Sequence, residues 1–274
     1  MTFAVTDLMK GKRGLVMGVA NDKSIAWGLS RTLAAHGAEM AFTYQGDAFG
    51  KRVKPLAESL GSKYIIDCDV SKEDDLDRVF TDIKKEWGKI DFLIHAIAYS
   101  DKEELKGRYV DTSLDNFLTS MHISCYSFTS VMRRAADLMA DGGSAVTLTY
   151  YGAEKAMPNY NVMGVAKAAL EASVRYMAAD LGPQGIRVNA ISAGPMRTLA
   201  GAVIGSARTT FKYNVVTSPL RRSVELDELG GAGLYLLSDL STAVTGEVHY
   251  VDCGFNAVGM PMPDQLKELV RNGD

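Results

Sequence analysis

Short apolar runs alternate with longer amphipathic stretches along nearly all of this 274-residue chain, and that alternation restricts the fold more than any other feature. Gly14 to Gly18 (GLVMG) reads as a buried strand and Ser24 to His36 as a helix. Ala38 to Thr43 forms a second strand, with a helix running through Leu56 and Leu60. Tyr64 to Val70 is a third strand. Ser71 is then placed to cap a helix toward Trp87, with Asp74 three residues on as a variant capping box. Asp91 to His95 is a fourth strand, followed by a long helix over Leu114 to Met139. Ser144 to Leu148, Arg187 to Ser192 and Glu247 to Val251 are further strands, separated by helices over Asn161 to Leu181 and Asp227 to Leu237.

Largely apolar strands that alternate with helices build a parallel sheet covered on both faces. Right-handed crossovers make it doubly wound. The expected fold class is therefore α/β: a single-domain Rossmann-type doubly wound sheet, about seven parallel strands with helices on both faces. No linker, composition break or internal repeat divides residues 1–274, so one domain is expected. Two segments interrupt the alternation: the polar stretch Ser100 to Ser113 and the small-residue-rich stretch Leu199 to Ser218. Loops after strand C-termini line the ligand crevice of such a sheet, so both are expected beside substrate rather than as plain surface loops. Pro261 and Pro263 break structure, and the tail 261–274, with a short polar helix beyond them, is expected to be flexible.

Charge and composition narrow the function. Thirty Lys and Arg against 33 Asp and Glu leave a net charge of −3, with the basic residues dispersed, which argues against a nucleic-acid partner. No apolar run approaches a membrane span, and no secretory signal is visible at the start. Cys68, Cys125 and Cys253 are few and far apart, as in a reducing cytoplasm, and form neither a disulfide framework nor a zinc site. His36, His95, His122 and His249 have no metal-ligand spacing, so no metal is expected.

The chemistry-bearing residues fall at strand ends. After the first strand, Gly18 permits a tight turn close to a phosphate. Ser24 is placed to cap the next helix or donate to a pyrophosphate, and that helix N-terminus offers N–H groups and a favourable dipole. This is not the G-x-G-x-x-G fingerprint, although Ala26 and Gly28 would let the helix pack closely. Gln45 follows the second strand, where a ribose-gripping acid usually stands. It does not repel a 2′-phosphate, so the residues alone leave NADH and NADPH open. Asp69 and Val70 end the third strand as a candidate adenine wall, and small residues after His95 would let a cofactor cross the sheet edge. Tyr160 and Lys167 are seven positions apart, almost two helical turns, and would share one helix face. A tyrosine hydroxyl bonds to or protonates a carbonyl oxygen, and an ammonium assists by lowering the phenol's pKa or holding a cofactor. Tyr150 lies ten residues upstream of Tyr160.

Three patterns taken together, Gly18-x5-Ser24-x-Ala26-x-Gly28, Tyr150-x9-Tyr160-x6-Lys167 and NAISAGPMRTLA from Asn189 to Ala200, resemble the bacterial enoyl-acyl-carrier-protein reductases of the FabI type. These are a divergent branch of the short-chain dehydrogenase/reductases, and the resemblance covers Lys10 to Gly259. Typical short-chain dehydrogenases carry Tyr-x3-Lys, whereas Gly164 stands at that lysine position here. The resemblance implies that Gly18, Ser24, Ile25, Gln45, Asp69, Val70 and Ile97 bind NAD, and that Lys167 holds the nicotinamide ribose. It places Met196, Arg197, Thr198, Leu199 and Ala200 at the nicotinamide amide and phosphates, Ser100 at the acyl substrate, and a substrate-binding loop at 199–218. It also implies NADH as cofactor in preference to NADPH, acyl carrier protein as partner, a cytoplasmic homotetramer, and the last reductive step of fatty-acid elongation. Cys253, in Asp252-Cys253-Gly254, departs from the family's Asp-Gly-Gly at a tight turn.

In the expected reaction, hydride adds to the β-carbon of a trans-2-enoyl thioester and charge develops on the thioester oxygen, which Tyr160 hydrogen-bonds. Lys167 aligns the cofactor, and Tyr150 is a third catalytic candidate with packing as its alternative role. A carbonyl reductase of the short-chain type would need lysine in the Tyr-x3-Lys register. A dinucleotide-sensing protein would have no need of a proton donor.

Overall fold

The computed structural model describes residues 5–196, 198 and 207–271. Seven strands, β1 (Arg13–Met17), β2 (Glu39–Tyr44), β3 (Ile65–Asp67), β4 (Phe92–His95), β5 (Gly143–Thr149), β6 (Ile186–Ala193) and β7 (Val248–Val251), form one sheet in the order β3-β2-β1-β4-β5-β6-β7. All six pairings are parallel. The order reverses between β1 and β4, the point at which a doubly wound sheet receives its ligand beyond the strand C-termini.

Strand residues alternate between two cores, as the two-residue period demands. Leu15, Met17, Leu93, Ala145 and Val188 point to one face, against α3 (Glu73–Trp87), α5 (Ser127–Ala136) and α6 (Val162–Leu181). Val16, Phe42, Phe92, Ile94, Val146 and Ile191 point to the other, against α1 (Ile25–Ala35), α2 (Gly46–Ser59) and α8 (Leu226–Leu237). Gly28 of α1 lies against Leu226, the close packing expected of a small residue there. Both faces are covered, which is why the strands read as near-continuous apolar runs.

Three boundaries differ from the sequence reading. The third strand spans only Ile65–Asp67, because Asp69 turns back onto its own chain: its carboxylate accepts from the Ser71 backbone and hydroxyl at 3.0 and 2.7 Å. Ser71 is thereby engaged and does not cap α3, whose N-cap is Lys72. The helix expected over Leu114 to Met139 is α4 (Leu114–Met121) and α5 joined by a π-helical segment, His122–Tyr126, and it stops at Ala136. The short helix expected in the tail is α9 (Pro263–Arg271), and it docks on α7 (Ala207–Thr217). Gln265 is 4% exposed, a buried polar anchor that the sequence did not single out.

Candidate active site

The cofactor side begins at the end of β1. Gly18 has φ +107, and a Cβ there would sit 2.2 Å from the Ala96 carbonyl oxygen. Only glycine lets β1 turn this close to the end of β4. The Ser24 hydroxyl accepts from the backbone N–H groups of Ala20 and Asn21, both at 3.0 Å. It therefore fixes the turn and does not cap the helix as expected. The α1 N-terminus consequently has no side-chain cap and no acidic residue in its first turn. An N-terminus of that kind, entered from Ser24 into Ile25, attracts an anion.

The adenosine side follows at the ends of β2 and β3. Gln45 is exposed at the start of α2, and its side chain hydrogen-bonds Asp69. Burial works against the Asp69 charge. Hydrogen bonds from Ser71 and Gln45 outweigh it and hold the carboxyl below its ordinary range. Val70 is buried beside it, and Ile97 lies half-buried after β4, packed against the first core. Met196 follows β6, half-buried, and Thr198 N–H donates to its carbonyl at 2.9 Å. Arg197, Leu199 and Ala200 lie outside the described residues. Gly18, the uncapped helix and the Gln45–Asp69 pair line the strand ends in the order a dinucleotide needs, so the residues present fit that group.

The catalytic side is built on β5 and α6. Tyr160 does not lie on α6 as its spacing to Lys167 suggested. It precedes the helix, on a turn where Asn161 takes φ +40 and Met163 N–H donates to the Tyr160 carbonyl at 2.9 Å. Its ring is buried and meets Tyr150 edge-on, centroids 5.1 Å apart at 73°. Leu105, Met157, Val162 and Met163 complete the apolar shell. Leu105 belongs to the polar insertion after β4, which thus covers the site as expected. The Asn161 amide ties that insertion down, donating to the Leu105 and Gly107 carbonyls at 3.1 and 3.3 Å.

Two glycines make room for Tyr160. A Cβ on Gly152 would stand 2.4 Å from the Tyr160 ring, and one on Gly164 would stand 2.7 Å from the Gly152 carbonyl oxygen. No side chain fits at 164, so a lysine in the Tyr-x3-Lys register is sterically closed. Gly152 carried no signal in the sequence, because its role depends on a ring eight positions later.

Burial raises the Tyr160 hydroxyl well above its ordinary pKa, and Tyr150 and Glu171 push the same way. Tyr160 is therefore a neutral hydrogen-bond donor, and the expectation that an ammonium lowers its pKa does not hold. Burial also carries Tyr150 to about 12. Lys167 is 6% exposed, and burial lowers it to about 8. Its ammonium donates to the Leu148 carbonyl at 2.8 Å, which uses one of three N–H donors. One turn on, Glu171 accepts from the Thr149 hydroxyl at 2.6 Å and secures the strand end that carries Tyr150. Buried Glu171 also escaped the sequence reading, since a helix glutamate reads as solvated.

Ser100, expected at the acyl chain, donates to Asn116 Oδ1 at 3.2 Å and accepts from the Ser120 hydroxyl at 2.9 Å. Its hydroxyl is thus engaged in holding the insertion. His95 is fully buried between Thr147 and Ser127, and burial takes it down to about 3. It is a neutral core residue. No cluster of three metal-ligating side chains occurs among the described residues.

The family model described as enoyl-(acyl carrier protein) reductase matches residues 18–256. A Rhizobium meliloti protein named enoyl-(acyl-carrier-protein) reductase (NADH) 2 is 61% identical over 95% of this chain and 97% of its own. The Anaplasma phagocytophilum enoyl-(acyl-carrier-protein) reductase, solved in complex with NAD, superposes with a TM-score of 0.90 at 60% identity, covering 93% of this chain and 97% of that one. FabI from Candidatus Liberibacter asiaticus superposes with a TM-score of 0.92 at 53% identity, over 94% of this chain and 100% of its own.

Proposed function

Because the chain belongs to the enoyl-(acyl carrier protein) reductase family, we propose that Tyr160, Lys167 and Tyr150 are the residues that carry its reaction. The protein is an NADH-dependent enoyl-acyl-carrier-protein reductase of fatty-acid biosynthesis. The observation that supports the residue assignment is the buried, neutral Tyr160, its ring edge-on to Tyr150, together with the buried Lys167 ammonium held on the Leu148 carbonyl near the end of β5.

The dinucleotide, when bound, supplies the hydride. Gly18, Ser24 and Ile25 set the turn and the helix end that receive its phosphates, with Gln45, Asp69, Val70 and Ile97 along the adenosine. Met196, Arg197, Thr198, Leu199 and Ala200 border the nicotinamide end. Lys167 directs its remaining donors to the ribose hydroxyls. Tyr160 donates to the thioester oxygen of the enoyl group, and the bond strengthens as negative charge grows there. An apolar shell makes that single donor count for more than it would in water. Tyr150 orients Tyr160 by its edge-on packing. Ser100 holds the insertion that borders the acyl chain, and residues 199–218 border its other side. The whole chain works as one reductase unit, in the cytoplasm and as a homotetramer, on a thioester carried by acyl carrier protein. Among the described residues, no helix is long and apolar enough to cross a membrane.

Absorbance of NADH at 340 nm tests the reaction directly. Oxidation on adding a crotonyl thioester, with none on adding simple ketones, is the expected outcome. Oxidation by ketones alone would make this a carbonyl reductase, and binding without turnover a sensor. The same assay run with NADPH measures the cofactor preference.

A further inference from the structure

Helix α7 is fastened at its C-terminal end by residues far away in sequence. The last carbonyls of a helix have no partner within it. Here Gln265 of α9 supplies one: its Nε2 donates to the Val216 carbonyl at 2.9 Å and approaches that of Thr217 at 3.4 Å. The other end of the same amide accepts from Met262 N–H at 2.6 Å, which fixes the entry to α9. Arg221, held at φ +55, adds a second donor to Val216 O at 2.7 Å and lies 3.8 Å from Asp264 of α9.

Helix α7 also reaches toward the active site through aromatic contacts. Tyr213 meets Phe255 edge-on at 6.1 Å, and Phe255 meets Tyr151 at 5.6 Å. Tyr151 is bonded in sequence to Tyr150, which packs on Tyr160. Between these two anchors α7 buries Asn214, whose side-chain amide finds no hydrogen-bond partner among the described residues. An unpaired buried amide disfavours the docked pose. The helix therefore depends on its anchors to stay beside the site.

We infer that Gln265 is a positioning residue for the acyl substrate, acting through α7, and that the C-terminal helix is a latch holding α7 against Phe255 and, through it, Tyr151, the neighbour in sequence of Tyr150. This inference rests on the reading of residues 199–218 as the border of the acyl site. The latch does not touch the dinucleotide positions at β1, β2 and β3, so it discriminates between the two substrates. Loosening it raises KM for the thioester and leaves NADH binding alone.

The test uses the full-length enzyme with Gln265→Ala and Gln265→Glu. The glutamate keeps the length and the acceptor for Met262 N–H but removes the donation to α7. Both variants should raise KM for a long-chain enoyl thioester about fivefold, the size of one lost hydrogen bond, with kcat and NADH Kd within about twofold of wild type. Backbone amides of residues 213–218 should exchange faster with deuterium in both. Unchanged exchange overturns the latch. Faster exchange with unchanged thioester KM overturns the assignment to the substrate. A parallel loss of kcat, NADH affinity and thermal stability overturns positioning in favour of a general structural role. Absence of thioester turnover by the wild-type enzyme is a failure of the reductase reading instead, and the exchange measurement still decides the latch.

Discussion

The cofactor half and the catalytic half of this molecule handle left-handed backbone differently. Among the described residues, every positive φ before residue 159 falls on glycine: Gly11, Gly18, Gly37, Gly46, Gly61, Gly88, Gly107 and Gly142. From there on Gly185, Gly246 and Gly254 share it with four other residues, Asn159, Asn161, Arg221 and Cys253. Asn159 and Asn161 flank Tyr160, Arg221 latches α7, and Cys253 sits in the turn after β7. The dinucleotide side is relaxed turn chemistry. The substrate side keeps a β-carbon where glycine would be easier, and holds it with tertiary contacts. Strain of this kind persists only where surroundings over-determine it, and it collects around sites that must hold one geometry.

The contrast can be broken most decisively at Gly18. Gly18→Ala forces a Cβ to within 2.2 Å of Ala96 O at φ +107. Steric overlap and left-handed strain together should cost about 4 kcal/mol of stability, measured by urea unfolding, with loss of NADH binding. An alanine tolerated without penalty would remove the distinction between the halves.

Lys167→Met comes next. Losing a charged hydrogen-bonding group should weaken NADH binding by about 2 kcal/mol, roughly thirtyfold, read by fluorescence titration. The pH dependence sharpens this. The wild-type ammonium loses its proton near pH 8, so NADH affinity should be flat below that pH and fall above it. The methionine variant should show no such limb.

The smallest effect has the opposite sign. Cys253→Gly relieves a left-handed β-carbon in a turn that Asp252 already caps, accepting from Gly254 and Asn256 N–H at 2.9 and 2.8 Å. Thermal denaturation should show a gain of about 1 kcal/mol with activity unchanged. No gain would mean that Cys253 is unstrained and that the catalytic half is no costlier than the other.

The same contrast explains what the sequence revealed. The seven parallel strands were legible because apolar runs and helices alternate, and the doubly wound rule then places Gly18, Gln45, Asp69 and Ile97 at strand ends. Tyr160 and Lys167 were legible as residue types, but not the geometry between them. The bend at Asn161, the room made by Gly152 and Gly164, and the Glu171–Thr149 bond join positions on different elements, which no local pattern records. Gln265 was invisible for the same reason: its partners lie about 50 residues upstream in sequence. The error at Ser71 followed a related cause, since its hydroxyl donates to Asp69 in the preceding turn instead of capping a helix, just as the Ser24 hydroxyl accepts from Ala20 N–H in its own turn.

The central claim is that one neutral hydroxyl, on Tyr160, stabilises the charge that forms on the thioester. Tyr160→Phe keeps the ring that packs against Tyr150 and removes only that donor. Steady-state kinetics with a crotonyl thioester, beside an NADH titration of the same sample, test it directly. The account predicts a loss of about a hundredfold or more in kcat/KM with NADH Kd unchanged. A kcat/KM near that of the wild type would contradict it.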